Sequence, residues 1–378
     1  MRGRDPDRAV GLATAGSGGE LRSASSRGGA GEQRESRARR KETGSTMRAT
    51  VLDVLAERRA HGSTPGARKD DHRVALVIEG GGSRAAYSTG MIGVIHERGL
   101  AECFDAVYGS SAGALNGAWL LCGRAPEAMA GWTAPGVMRK VMDSRRVVRG
   151  RPVVDLDFLI NVLYTHLLPI DFAAVLANPV SLHPLGTDAA DGRPVDLAAL
   201  IRDVRTLKDA LRATSCLPVM AGPPIELDGG RRFLDGGVAE PVPIRTALGD
   251  GATHALVLRT RRLDEQSEPP GALAGRVTSR WFRRHAPGAL TAWDSRPART
   301  LEAERFLAGL PTVLQIRPPL GSPSVSRIAT DPALLGSAVA IGHAAAAIVL
   351  KQTSSNDPRA RRSAPHEPAA LPGRSRLR

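Results

Sequence analysis

Ser111 sits at the centre of Gly109-Ser110-Ser111-Ala112-Gly113, a G-x-S-x-G pattern. In a nucleophile elbow of this kind the central serine stands at a sharp bend between a strand and a helix, and small neighbours prevent clashes there. The spacing selects Ser111 rather than Ser110. A hydroxyl presented in this way can attack an ester carbonyl once a base takes its proton. Upstream, Gly80-Gly81-Gly82-Ser83-Arg84-Ala85 follows an apolar run and opens a helical pattern. Free amides at such a turn suit either a bound phosphate or the oxyanion of a tetrahedral intermediate.

The same glycines also satisfy the dinucleotide pattern G-x-G-x-x-G/A, which calls for an acidic residue at the end of the second strand. Here Asp105 lies near that strand's start, and the strand runs into the serine elbow. This argues against a nucleotide-binding oxidoreductase.

The serine needs a base. Nine histidines are present: His61, His72, His96, His166, His183, His254, His285, His343 and His366. None follows a strand in a recognisable loop motif, so a Ser-His-Asp triad has no clear histidine. Two Asp-Gly-Gly triplets offer more. Asp228-Gly229-Gly230 lies between two apolar stubs and reads as a hairpin turn. Asp235-Gly236-Gly237 follows the second stub. An aspartate ending a buried strand, backed by small residues, can reach a neighbouring hydroxyl.

These residues require a particular scaffold. Val74–Ile78 reads as a buried strand, Arg84–Arg98 as a helix ended by Gly99, Phe104–Tyr108 as a second strand and Ala112–Leu121 as a second helix. Ile244–Leu248 and Ala255–Leu258 add a helix and a strand. Strand–helix alternation with tight glycine turns predicts an α/β fold with a mostly parallel sheet. Residues 125–175 read as a helical cap over a site, and Val180–Leu185 with Pro194–Leu197 as a hairpin. Residues 261–300, rich in Pro, Arg and Gly, read as a partly mobile excursion. Ala333–Leu350 is uncharged and long enough to raise a membrane span, but its alanine content predicts a buried packing helix.

The chain of 378 residues has a formal charge of +14. Ten of those net charges lie in residues 1–50 and 351–378. Residues 1–46 and 352–378 read as disordered basic tails, with Met47 an alternative start for a chain called too long. The body between them is only mildly basic. Aromatic residues number thirteen, too few for a base-stacking surface, so no nucleic acid is expected. Anionic lipid is the more economical partner for the tails, giving peripheral contact with a membrane surface. Cys103, Cys122 and Cys216 have no disulfide-framework or zinc spacing and fit a reducing, cytoplasmic compartment.

Taken in order, Gly80–Ala85, Gly109–Gly113 and Asp235–Gly237 resemble the three motifs of the bacterial patatin-like phospholipases. The phrases Val-Ile-Glu-Gly-Gly-Gly-Ser-Arg and Gly-Ser-Ser-Ala-Gly-Ala-Leu-Asn are also typical. The resemblance runs from about Val74 to Thr260, and more loosely to Leu350. It implies a three-layer domain over residues 72–351, with a central mostly parallel sheet flanked by helices. It implies a serine lipid acyl hydrolase working through a Ser–Asp dyad and an acyl-enzyme, without metal or cofactor. Ser111 would be the nucleophile and Asp235 the base. The amides of Gly80, Gly81 and Gly82 would form the oxyanion hole, with Arg84 ordering that loop. Gly109 and Gly113 would shape the elbow, and Gly236 and Gly237 the base motif. The family's usual glycine is replaced by Ala85, a change compatible with the preceding amides. A regulatory lipid-binding pseudoenzyme on the same fold is the alternative reading. Head group, acyl length, ester position and oligomeric state are not encoded in these motifs.

Overall fold

The computed structural model describes residues 49–265 and 271–353. The tails expected at 1–46 and 352–378 lie outside these residues, apart from Gln352 and Thr353. The described residues begin at Ala49. The first helix, α1 (Val51–Ala60), buries Val51, Val54 and Leu55. Arg58 of α1 is 1% exposed and bridges Asp70 and Asp105 at 2.8 Å each. Asp105 also accepts from Arg68 and from the Val74 amide, so its carboxylate ties α1 and its loop to the sheet.

The sheet has eight strands: β1 (Val74–Ile78), β2 (Ala106–Ser110), β3 (Ser181–Asp188), β4 (Pro194–Asp196), β5 (Ile225–Leu227), β6 (Arg231–Asp235), β7 (His254–Leu258) and β8 (Val313–Ile316). The order is β5-β6-β3-β2-β1-β7-β8, with β4 paired to β3. The pairs among β3, β2, β1, β7 and β8 are parallel. The pairs made by β4, β5 and β6 are antiparallel, so β3–β4 and β5–β6 are the two expected hairpins. β2 starts two residues later than expected and delivers Ser110 as its last residue.

Strand β1 is apolar throughout because both its faces are covered, as parallel strands require. Val74, Leu76 and Ile78 join the larger core with α2 (Ala85–Glu97) and α3 (Ala112–Leu121). Ala75 and Val77 face the other way, against Ile244 and Ala247 of α6 (Ile244–Gly249) and Leu307 of α8 (Arg296–Ala308). Between these come α4 (Ala125–Thr133), α5 (Val204–Thr214) and α7 (Ala272–His285). The result is helix, sheet and helix in three layers.

The last long helix, α9 (Pro332–Val349), is capped by Asp331 and packs along α2. Small residues make that approach possible. A Cβ on Gly342 would stand 1.9 Å from the Tyr87 carbonyl oxygen, and one on Gly90 would stand 2.0 Å from that of Val339. By length and composition α9 could cross a membrane, and a third of it is buried within the fold.

Residues 261–300 depart from expectation. The described part forms α7, a short helix Leu290–Asp294 and the start of α8. Phe282 of α7 is fully buried with Leu234 and Ala289. The composition suggested mobility, but one aromatic anchor and its neighbours hold the segment to β6.

Candidate functional site

The parallel pairing of β1 and β2 brings two turns together, because Ile78 lies opposite Gly109. The elbow that follows β2 is tight. Ser111 has φ 55° and ψ −131°, a left-sided conformation that costs of order 1–3 kcal/mol for a residue with a side chain. The flanking glycines are needed for space. A Cβ on Gly109 would stand 2.5 Å from the Ala114 nitrogen, and one on Gly113 would stand 2.4 Å from the Ile78 carbonyl oxygen. The Ser111 amide donates to Thr214 Oγ1 at 2.9 Å, and the Thr214 hydroxyl donates in turn to the Leu185 carbonyl. The elbow is therefore tied to both α5 and β3. The neighbouring Ser110 is fully buried, and its hydroxyl donates to the Glu240 carbonyl at 2.7 Å.

Asp235 ends β6 beside Gly186 of β3, one strand from the elbow. The close packing leaves no room for a side chain at Gly236, whose Cβ would meet the Leu185 carbonyl oxygen at 2.1 Å. The Gly237 amide donates to Asp235 Oδ1 at 2.8 Å. Burial pushes the Asp235 carboxyl above the usual carboxylate range, while hydrogen bonding from the Ser111 hydroxyl and the Gly237 amide acts the other way.

Gly80, Gly81 and Gly82 line the same cavity as Ser111 and Asp235. Their amides differ in availability. The Gly80 amide donates to the Pro241 carbonyl at 3.1 Å, so it is already occupied. The amides of Gly81 and Gly82 have no partner among the described residues, and neither does that of Ala112, the first residue of α3. A helix start leaves such donors unsatisfied. The Ala112 amide was not among the donors expected from sequence, although the elbow motif points to it. Gly82 has φ 56°, and a Cβ there would stand 2.3 Å from the Arg327 carbonyl oxygen. Ala85 is fully buried with ordinary helical φ of −63°, so its methyl group is accommodated.

The loop is held by groups other than the Arg84 guanidinium. Ser83 donates from its amide to Arg327 and from its hydroxyl to Ala329. Arg84 contributes through its backbone, which donates to the Gly81 carbonyl, while its side chain turns into the cavity lining. Glu79, next to the loop, is 2% exposed. It accepts from Arg259 Nε at 2.9 Å and from the Thr260 amide at 2.8 Å. Burial alone would raise its pKa, but Arg259 and Arg261 outweigh burial and bring it down to about 2. This carboxylate therefore stabilises the fold above the usual carboxylate range, and the stabilisation is lost as pH falls toward 2. Replacing Glu79 with Gln leaves Arg259 short of a buried partner and should cost about 3 kcal/mol, read by denaturant unfolding.

The rest of the cavity has an apolar side and a side lined by Arg84, Arg261, Arg296 and Arg327, and with the open space before it spans about 1130 Å³. Trp132, Met138, Met142, Leu156 and Leu159 come from the region expected to cap the site. Of the described histidines, none lines this cavity. His183 stacks on Tyr108 and pairs with Asp196 at 2.6 Å, and His254 bonds to Ala49 and Thr253.

A serine elbow at the carboxyl edge of a mostly parallel sheet defines the broad class of α/β proteins with a serine-centred pocket. Residues 76–248 match the Patatin-like phospholipase family model. The chain is 30% identical over 214 residues to YjjU of Escherichia coli (strain K12), described as uncharacterized. That match covers 56% of each protein, so the chain spans about half the length of this curated relative. Among solved structures, VipD from Legionella pneumophila aligns with TM-score 0.43 and 14% identity, over 76% of this chain and 67% of that one. Human GIVD cytosolic phospholipase A2, in complex with methyl gamma-linolenyl fluorophosphonate, aligns with TM-score 0.33 and 12% identity, over 81% and 64%.

Proposed function

We propose that the protein is a serine lipid acyl hydrolase that uses Ser111 and Asp235 as a dyad. The observation carrying this reading is a buried carboxylate, Asp235, that shares one cavity with a strained elbow serine. The Ser111 hydroxyl attacks the ester carbonyl carbon as Asp235 takes its proton. The carbonyl oxygen becomes an oxyanion and is stabilised by the free amides of Gly81, Gly82 and Ala112. The proton passes from Asp235 to the leaving alcohol, and an acyl-enzyme remains. Water, giving its proton to Asp235, attacks the acyl carbon. Asp235 returns the proton to the Ser111 oxygen as the second tetrahedral intermediate breaks down, releasing the fatty acid and restoring both residues.

A raised pKa makes Asp235 a better proton acceptor than an ordinary carboxylate near ~4. The apolar wall takes the acyl chain and excludes water. Product analysis tests the reading: purified full-length protein should release free fatty acid from dispersed phospholipid or lysophospholipid, and the absence of any acyl product from every ester lipid tried would overturn it.

The substrate resides in a lipid surface, and the exposed turn Ser144–Arg149 supports contact with one. Val148 there is 91% exposed and is flanked by Arg145 and Arg149. Apolar side chains among cations suit an anionic membrane. Val148→Glu should weaken cosedimentation with anionic vesicles severalfold at low salt. Unchanged binding would remove this turn from the account.

A further inference from the structure

Four arginines line the cavity that holds Ser111 and Asp235: Arg84, Arg261, Arg296 and Arg327. Their counter-charge is sparse. Arg261 lies 3.7 Å from Glu79, a carboxylate shared with Arg259. Arg84 approaches only Glu265, at 3.9 Å, and its Nε has no hydrogen-bond partner among the described residues. Arg296 lies over the Trp293 ring at 3.9 Å. Neither Arg296 nor Arg327 makes a hydrogen bond or ion pair through its side chain with any described residue.

Like charges gathered with so few opposite charges are unfavourable unless an anion joins them. Their mutual effect is visible in acidity. Burial, then Arg327 and Arg261, bring the Arg296 guanidinium down to about 9. Burial, then Arg261 and Arg327, bring Arg84 down to about 10. Asp235 acts in the opposite sense on Arg296 and Arg327, so both cations stand within electrostatic reach of the base. Arg261, Arg296 and Arg327 all lie outside the family-matched span of 76–248.

Planar guanidinium forks suit phosphate oxygens. In a glycerophospholipid the phosphate sits on the carbon next to one of the ester-bearing carbons, so it would reach this wall with the carbonyl at Ser111. A choline group would bring a second cation into an already positive field. We propose that Arg296 and Arg327, together with Arg84, form an anion-binding wall that selects ester lipids with a net negative phosphate head group over choline phospholipids and neutral acylglycerols. This proposal rests on the hydrolase reading.

The test compares phosphatidylglycerol, phosphatidylcholine and diacylglycerol of identical acyl chains in mixed micelles, using full-length wild type, Arg296→Gln, Arg327→Gln and Arg327→Lys. The readout is the ratio of kcat/KM for phosphatidylglycerol to that for phosphatidylcholine. The basic termini are present in every variant, so their surface attraction cancels when the ratios of the variants are compared with that of wild type. Wild type should favour phosphatidylglycerol by roughly tenfold or more, each Gln variant should bring the ratio to within about threefold of one, and Lys should restore part of it. Inorganic phosphate, added as competitor, separates a general phosphate site from one that needs the lipid. If it leaves wild-type hydrolysis of phosphatidylglycerol largely unchanged, the head group in its lipid is the ligand. A wild-type ratio near one, or a ratio unchanged in both Gln variants, would overturn the proposal. Binding of Ser111→Ala to the same micelles needs no turnover. If wild type hydrolyses no lipid, the hydrolase reading fails, while this arm still decides whether the wall prefers the anionic surface.

Discussion

Ser111→Ala is expected to lower ester hydrolysis by at least about 10⁴-fold, leaving the fold intact. The magnitude is that of losing a nucleophile which works as a unit with its base. A methyl group cannot attack the carbonyl, and the remaining amides of Gly81, Gly82 and Ala112 can polarise an ester only for unassisted water. The change removes strain from nothing and adds no volume: φ 55° is retained by the surrounding elbow, and the Ser111 amide still donates to Thr214. Circular dichroism and the melting temperature should therefore change little. Comparable hydrolysis by wild type and the alanine variant, on the same ester, would place the nucleophile elsewhere.

Asp235→Asn is expected to lower the rate by about 10³-fold and, at neutral pH, to raise the melting temperature. The two effects have one origin. Burial raises the Asp235 pKa above its unfolded value, so the folded state binds the proton more tightly than the unfolded chain does. Stability contributed by this group is full at low pH and is lost as pH rises through the folded pKa. At pH 7 the ionised carboxylate is a liability to the fold that catalysis requires. Asparagine removes the charge and can still accept from the Gly237 amide. The gain in melting temperature should shrink as pH falls through the carboxylate range. An asparagine variant less stable than wild type at pH 7 and equally active would contradict both the electrostatic account and the role of base.

What the sequence made legible was local turn chemistry. Gly109, Gly113 and Gly236 stand where a Cβ would collide with backbone within 2.1 to 2.5 Å, so these glycines advertise their places directly. The buried run Val74–Ile78 announced a strand covered on both faces. The partners of these motifs were less visible because they arise from contacts across the fold. That the Gly80 amide is taken by Pro241 follows from the packing of two distant loops. The Glu79–Arg259 pair spans 180 positions, and Arg296 and Arg327 meet the cavity only after α8 and the loop before α9 have docked. The segment 261–300 misled for a related reason: its Pro, Gly and Arg content masks the one residue, Phe282, that anchors it under β6.

Covalent labelling tests the central claim most directly. Full-length protein is incubated with a fluorophosphonate serine probe, digested, and the adduct located by mass spectrometry. The account predicts a single major adduct on Ser111, absent in Ser111→Ala and strongly slowed in Asp235→Asn. Folded wild-type protein that takes no label, or labelling that persists unchanged in Ser111→Ala, would contradict it and favour a lipid-binding role for the same cavity.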